Sequence, residues 1–312
     1  MKVLFAGTPA FALPSLEAIA RSSRHRLVGA LTMPDRPKGR GLRAFPPPVK
    51  ERASALALPV LQPARPSSPE SLEAIAALGP DVVAVVAYGR ILKPSFLRLP
   101  RLGCVNVHAS LLPEYRGAAP IERAILEGRS ETGVTIMQID EGLDTGDILL
   151  AEATPIGPEE NAGELAERLA ALGAGLLVAA LDAIEDGTCP RAPQEAARAS
   201  HAPPIRKEEG RIGWKDPAAA IVNRVRAMNP RPVAFAETPH GALRVYRAEA
   251  VPASGPPGTI LAADPGRGLV VAAGEGAVRL REVQLPGRKR MEDRALLSGA
   301  RFPVGALLEG GS

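Results

Sequence analysis

The chain has 312 residues, which is long enough for two domains that each bury a core. Hydrophobic residues make up 46% and charged residues 23%, the balance of a soluble globular protein rather than a disordered one. No signal peptide opens the sequence, and no apolar run reaches the roughly 18 residues of a membrane span, so we expect a cytoplasmic protein.

The two cysteines and the distribution of charge narrow the class further. Cys104 and Cys189 are too few and too far apart for a disulfide framework or a metal cluster, so we expect both to be reduced and in the core. Residues 206–312 hold 17 Lys+Arg against 11 Asp+Glu, whereas the rest of the chain is slightly acidic. A basic minority domain is typical of polyanion docking, although an ordinary solvated surface gives the same count.

The first two hundred residues predict an α/β domain. Apolar runs at 2–6, 26–32, 81–88, 104–108 and 133–140 predict strands, and helical spacing predicts helices at 13–19, 72–78 and 162–184. Val-rich strands that alternate with helices indicate a parallel sheet covered on both faces. Because the first turn lacks the Gly-x-Gly-x-x-Gly layout, the pattern does not support nicotinamide binding.

The remainder predicts a smaller β domain. The proline-rich text between 190 and 214 is typical of a linker, and we place the domain boundary after residue 205. One helix at 217–228 precedes short β-like pieces separated by Gly and Pro. Frequent turns between short strands favour a small antiparallel barrel or sandwich for 206–312.

Residues 33–48 contain too much proline and glycine for a helix or a central strand, so we predict a long loop. Loops longer than about 12 residues inside a compact domain are uncommon and are usually functional or disordered. This one is basic, and only Asp35 opposes the cations Arg36, Lys38, Arg40 and Arg43.

Polar side chains cluster where the strand at 104–108 ends. Asn106 and His108 are two residues apart and therefore share one face of the strand. Asp144 lies in a turn that follows the strand at 133–140. Because parallel α/β sheets build their sites where strands end, we expect these three groups to converge.

An amide, an imidazole and a carboxylate suit acyl or formyl transfer to an amine. The oxyanion of the tetrahedral intermediate needs donors, and the attacking nitrogen must lose a proton. Of the four histidines, His108 alone lies in such a polar group. Taken alone, Asn-x-His is a weak signal, because a histidine on a strand is more often structural.

The flanking motifs resemble those of the folate-dependent formyltransferases. Asn-x-His-x-Ser-Leu-Leu-Pro at 106–113 and Leu-Asp-Thr-Gly-Asp at 143–147 are similar to the whole family. Asp-Arg-Pro-x-Gly-Arg-Gly at 35–41 and Arg-Gly-Ala-Ala-Pro-Ile at 116–121 resemble the branch that acts on tRNA. The resemblance extends over essentially the whole chain, with a departure at 229–232, where Asn-Pro-Arg-Pro replaces Asn-Pro-Trp-Pro.

The resemblance implies a Rossmann-like parallel-sheet catalytic domain at 1–205 and a C-terminal, OB-like β-barrel at 206–312 that docks tRNA. It implies transfer of the formyl group of 10-formyltetrahydrofolate to the amino group of methionyl initiator tRNA, without a metal. Asn106, His108 and Asp144 match the catalytic residues. We expect a monomer, although no sequence feature reports on oligomeric state.

The resemblance also implies two groups of binding residues. Residues matching the folate-contacting turn and the pterin-lining strand end are Ser110, Leu111, Leu112, Pro113, Val86, Tyr88 and Gly89. Residues matching the loop that reaches the tRNA acceptor end are Arg36, Lys38, Arg40 and Arg43.

Two other functions fit parts of the same sequence. A formyltransferase for a small amine, such as a nucleotide or an amino sugar, would use the catalytic residues but not the Arg40 loop or the basic C-terminal domain. A folate- or RNA-binding protein without turnover would not need the intact catalytic residues.

Overall fold

The computed structural model describes residues 1–38 and 43–308, with the backbone alone at 37–38 and 43–44. It contains two compact units. The first consists of Met1–Gly117, Glu131–Pro155 and Ala166–Ala202; the second consists of Ala118–Ser130, Ile156–Leu165 and the chain from Pro203 on. The domain boundary after residue 205 stays a prediction.

Strands and helices alternate through the first part of the chain, and strands dominate the last. The strands are β1 (Lys2–Gly7), β2 (Arg26–Leu31), β3 (Arg36–Lys38), β4 (Arg43–Phe45), β5 (Val60–Leu61), β6 (Val82–Val86), β7 (Cys104–His108), β8 (Arg116–Gly117), β9 (Glu131–Gln138), β10 (Ile148–Pro155), β11 (His201–Ala202), β12 (Ala234–Thr238), β13 (Gly241–Val251), β14 (Ile260–Asp264), β15 (Gly268–Ala272), β16 (Ala277–Gln284) and β17 (Met291–Glu292).

The α-helices are α1 (Leu13–Arg21), α2 (Pro48–Ala55), α3 (Pro69–Leu78), α4 (Pro94–Leu97), α5 (Pro120–Leu126), α6 (Ala162–Glu185), α7 (Ala218–Ala227) and α8 (Asp293–Leu297). Short 3-10 helices occupy Ala10–Ala12, Ala196–Arg198 and Lys207–Gly210. Every strand and helix predicted from the sequence is present. Other elements, among them β10, α2 and α5, were not predicted, and the shortest of these, such as α4, β5 and β8, are too brief to show a period.

The first unit is built on a seven-stranded sheet in the order β10-β9-β7-β6-β1-β2-β5. The strands from β7 to β5 are parallel, which confirms the predicted α/β class. The expectation that β9 continues the parallel series is wrong, because β9 is antiparallel to both β7 and β10. Strand direction depends on the connection and leaves no mark on an apolar run.

Helices cover both faces of this sheet. On one face, Cys104 of β7 belongs to a core that includes Ile75 of α3. On the other, Gly173 of α6 approaches Val107 so closely that an added Cβ would lie 2.7 Å from a Val107 methyl group. Residues 104, 106 and 108 therefore face the α3 side of the sheet. Cys189, by contrast, is half-exposed and is not the core residue expected from the sequence.

The segment at 33–48 contains more structure than the predicted loop. Strands β3 and β4 form a separate antiparallel hairpin, with Arg36 opposite Phe45. Pro37 is tolerated because this two-stranded hairpin has no central position at which a missing N–H would break a ladder. Among the described residues of this segment before α2, none is helical and none joins the main sheet, whereas the predicted long loop is wrong where β3 and β4 pair.

The second unit contains an antiparallel sheet in the order β12-β13-β16-β15-β14, with β17 on β16. Its core includes Trp214, Ile221 of α7 and Leu280 of β16. The prediction of a smaller C-terminal β domain is confirmed, whereas closure into a barrel stays a prediction. Within the described ranges, no helix is long and apolar enough to cross a membrane.

Asp293 is the buried electrostatic anchor of the second unit, with 2% of its surface exposed. Its Oδ2 accepts hydrogen bonds from Arg279 Nε at 2.8 Å and from the Leu269 amide at 3.2 Å. We expect Asp293→Ala to lower the free energy of unfolding by about 3 kcal/mol, because Arg279 loses its buried partner. Urea unfolding followed by the fluorescence of Trp214, the single tryptophan, measures this change.

The matched control is the neighbouring Glu292→Ala, since Glu292 is exposed. Its cost should stay below about 0.5 kcal/mol. Equal costs for the two variants would show that the buried carboxylate has no special role.

Candidate active site

Strand β7 brings Asn106 and His108 to one face. His108 is buried, with 5% of its surface exposed, and Asn106 is half-buried. The side-chain amide of Asn106 makes no hydrogen bond to another described residue. A half-buried amide with free hydrogen-bonding capacity is suited to a polar ligand.

The turn that follows β7 fixes the imidazole. His108 Nε2 lies 2.9 Å from the main-chain carbonyl oxygen of Tyr115. Because a carbonyl oxygen only accepts, Nε2 donates and carries a proton, a tautomer inferred from this hydrogen bond. In the neutral ring, Nδ1 is then the nitrogen with the free lone pair.

Thr135 of β9 braces the same turn and was missed at the sequence level. Its Oγ1 donates to the Ser110 carbonyl at 2.7 Å and accepts from the Leu112 amide at 3.1 Å. Thr135 is fully buried. The sequence did not identify it, because a hydroxyl on a strand does not reveal which loop it will meet.

Asp144 reaches His108 through a returning loop. The loop starts beside the first residue of β7, where the Ile139 amide donates to the Cys104 carbonyl at 2.8 Å. It brings Asp144 Oδ2 to 3.7 Å from His108 Nδ1. Since β9 is antiparallel to β7, the last residues of β9 lie beside the start of β7, at the opposite end from His108. The loop, and not strand direction, therefore brings these two groups together.

The Asp144 carboxylate has a second anchor in Gly117. The Gly117 amide donates to Asp144 Oδ2 at 2.9 Å. Gly117 has φ +123°, and an added Cβ would lie 2.7 Å from the Ala202 carbonyl oxygen of β11. Only glycine fits there, so β8 can lie against β11 and present its amide to the carboxylate.

The predicted folate-contacting turn is largely committed to its own structure. Ser110 is fully buried, and its hydroxyl donates to the Glu114 carbonyl at 2.7 Å. Leu112 and Pro113 are also buried, whereas Leu111 is half-exposed and packs over Gly133. Contact with a ligand at this turn would therefore come through Leu111 or the main chain.

Two of the three predicted pterin-lining residues border a cavity of about 300 Å³. Val86 is fully buried in β6, and Tyr88 and Gly89 line the cavity together with Thr8 and Met33. Burial raises the pKa of Tyr88 to about 12. Its hydroxyl is buried without a hydrogen-bond partner among the described residues.

The basic hairpin contributes to the same cavity. Arg36 of β3 and Phe45 of β4 line it, and Phe45 is half-exposed. Lys38 and Arg43 are paired in the hairpin backbone, and Arg40 lies outside the described residues. Arg36, expected to bind tRNA, therefore lines the same cavity as Tyr88 and Gly89, which are expected to bind folate.

Asp35 is paired with Lys50 and Gln62. Its carboxylate binds Lys50 Nζ at 2.7 Å and Gln62 Nε2 at 2.8 Å. These hydrogen bonds, that of Lys50 first, hold the pKa of Asp35 below its usual value. Asp35, the one acidic residue in the sequence of the predicted tRNA loop, is thus already paired.

Sequence comparisons cover the chain from end to end. A model of the formyl transferase family matches residues 1–181, and a model of the formyl transferase C-terminal domain matches 204–301. A methionyl-tRNA formyltransferase from Syntrophus aciditrophicus is 46% identical over 310 residues, covering 99% of each chain. Another from Solibacter usitatus is 48% identical, covering 97% of this chain and 96% of the relative.

A structural comparison agrees on the fold. An N-formyltransferase from Helicobacter canadensis, solved with folinic acid and dTDP-3-aminofucose, superposes with a TM-score of 0.64. It is 18% identical, and the match covers 89% of this chain and 98% of the other. By its sequence, the chain belongs to the formyl transferase family.

Proposed function

We propose that this chain transfers the formyl group of 10-formyltetrahydrofolate to the amino group of methionyl initiator tRNA. The observation that carries the proposal is the placement of His108, whose Nε2 is tied to the Tyr115 carbonyl while Nδ1 faces Asp144. Relatives named methionyl-tRNA formyltransferase are 46% and 48% identical over nearly the whole chain, which supports the choice of acceptor.

The proposed chemistry assigns one task to each side chain. The amine attacks the formyl carbon, a C–N bond forms, and the bond to the folate nitrogen breaks. Asn106 donates an N–H to the developing oxyanion, and a protonated His108 donates from Nδ1. Asp144 orients His108 and accepts the proton that the amine loses, and this proton then passes to the departing folate nitrogen.

The cavity beside β6 supports folate binding by the main chain. Residues 87–89 follow β6 as residues 109–110 follow β7, and the two strands are hydrogen-bonded neighbours. A flat heterocycle with amide-like edges can be satisfied there by backbone groups. The side chains need only leave space.

Basic groups on both parts of the chain support a tRNA acceptor. Arg36 of the hairpin lines the cavity, and Asp35 is paired with Lys50. Residues 206–312 carry an excess of six positive charges. Cations at two places can neutralise phosphates of one polyanion. Because charged initiator tRNA is used in the cytoplasm, we propose that compartment and keep the monomer as a prediction.

An assay with both acceptor classes tests the proposal. With 10-formyltetrahydrofolate, we expect the wild-type protein to formylate methionyl initiator tRNA far faster than glycinamide ribonucleotide or an amino sugar nucleotide. His108→Ala should lower kcat about a hundredfold or more, because a donor to the transition state is lost. His240→Ala, at an exposed histidine of the second unit, is the control and should retain wild-type kcat. Unchanged transfer by His108→Ala would eliminate the mechanism, and preference for a small amine would eliminate the acceptor.

Arg40→Ala tests the predicted tRNA loop. We expect kcat/KM for charged tRNA to fall roughly tenfold. The slope of log KM against log salt concentration should decrease by about one, the change for one lost phosphate contact. The KM for 10-formyltetrahydrofolate should not change. Arg65→Ala, at an exposed arginine outside the hairpin, serves as control. Equal losses in both variants would mean that Arg40 acts only through net charge.

Tyr88→Phe tests whether the predicted folate contact is made by the main chain. Because the hydroxyl is buried without a partner among the described residues, its removal should leave the midpoint of thermal unfolding unchanged or higher. The KM for 10-formyltetrahydrofolate should stay within about twofold. The control, Tyr246→Phe, loses a hydroxyl that donates to Gln284 at 2.7 Å. Its free energy of unfolding should fall by about 1 kcal/mol, which lowers the midpoint of thermal unfolding. A large rise in the folate KM of Tyr88→Phe would instead assign ligand contact to the hydroxyl.

A further inference from the structure

Gln194 lies between α6 and β11, in a part of the chain whose sequence is typical of a linker. The segment is anchored to β10, because Ala192 and Ile148 exchange two main-chain hydrogen bonds of 2.8 and 2.9 Å. The Gln194 side chain is half-buried and turns toward the loop that carries Asp144. Its neighbour Glu195 is exposed.

The amide of Gln194 uses its full hydrogen-bonding capacity. Nε2 donates to the carbonyls of Asp144 and Gly146, both at 2.8 Å. Oε1 accepts from Arg116 Nε at 3.0 Å and Nη2 at 2.7 Å. The opposite orientation of the amide would set donors against Arg116 and oxygen against two carbonyls, so only this orientation is satisfied.

One of the two carbonyls belongs to a residue in a strained backbone conformation. Asp144 has φ +52°, in the left-handed region that costs a residue with a side chain roughly 1 kcal/mol or more. Asp144 must keep this backbone conformation if its carboxylate is to stay near His108 Nδ1 and the Gly117 amide. Gln194 fastens the main chain of the turn on both sides of Thr145.

Arg116 explains why a neutral amide suits this position. Its guanidinium is buried, with 9% of the residue exposed, and its main-chain amide donates to the Ser200 carbonyl at 2.9 Å. The Arg116 guanidinium thus holds Gln194 Oε1 toward itself and leaves Nε2 toward the two carbonyls. A glutamate would keep the acceptor for Arg116, yet it would lose both donors and face two carbonyl oxygens with negative charge.

We infer that Gln194 is a positioning residue for formyl transfer, which holds the Asp144 turn in its left-handed conformation and is itself oriented by Arg116. This inference rests on the proposed function, because Asp144 matters for rate only if the chain transfers a formyl group. Gln194 touches no reacting atom in this account. Its effect on the reaction passes through Asp144.

The experiment compares Gln194→Ala and Gln194→Glu with Glu195→Ala as a neighbouring control. A displaced carboxylate should lower kcat about 10- to 100-fold, while the KM for tRNA and that for 10-formyltetrahydrofolate stay within about twofold. In an Asp144→Asn background, Gln194→Ala should lower kcat by less than about threefold more, because the two residues act as one unit. Additive losses in the double variant, or a wild-type kcat in both single variants, would overturn the inference.

Amide hydrogen exchange of residues 142–147 gives a readout that needs no activity. We expect it to be at least about tenfold faster in both Gln194 variants and unchanged in Glu195→Ala. If Gln194→Ala does not fold, Gln194→Glu carries both measurements, since it keeps its pairing with Arg116. Unchanged exchange in a folded Gln194 variant would contradict the inference.

The two proposals fail in different ways. If the wild-type protein and Glu195→Ala make no formylated product, the proposed function is wrong, whatever the exchange rates are. If both make product and the Gln194 variants match them in kcat, the proposed function stands and the positioning role is wrong.

Discussion

The hydrogen bond between His108 Nε2 and the Tyr115 carbonyl is the constraint on which the candidate active site depends. It places a proton on Nε2, so the other ring nitrogen is the one available to Asp144 and to a substrate. The bond exists only because the chain turns back on itself between 108 and 115. Ser110 and Thr135 hold that turn by hydrogen bonds to main-chain groups. Local backbone structure therefore decides the chemistry of the imidazole.

Tyr115 and Asp144, whose oxygen atoms lie against the two nitrogens of the imidazole, both have a left-handed backbone conformation. Tyr115 has φ +60° and Asp144 has φ +52°, and such residues persist only where their surroundings fix them. For both, part of that support comes from the segment after α6: Ser200 Oγ accepts from the Tyr115 amide at 2.9 Å, and Gln194 binds the Asp144 carbonyl. A segment far along the chain thus completes a site whose polar groups lie between 106 and 144.

The sequence predicts what repeats locally and misses what depends on distant contacts. Strand β6 was predictable because a continuous apolar run must be buried, and the alternation of apolar and polar residues in β7 placed Asn106 on the same face as His108. The antiparallel direction of β9 was not predictable, since an apolar run reads the same in either direction. Gln194 was also missed, because its proline-rich surroundings are typical of a linker, and its partners lie about 50 and 78 residues away. Polar residues on loops acquire their meaning only from what the fold brings to them.

The shared cavity links the two groups of proposed ligand contacts by a requirement of the reaction itself. An amine must come within about 3 to 3.5 Å of the carbon that it attacks, so the sites for donor and acceptor cannot be separate. Tyr88 and Gly89, at the strand end proposed for folate, line the same cavity as Arg36 and Phe45 of the hairpin proposed for tRNA. Short connections join the hairpin to β2 on one side and to α2 on the other, and Arg36 lines the cavity beside that strand end. An acceptor bound by its phosphates at the hairpin would thereby have its amino end directed toward the formyl donor.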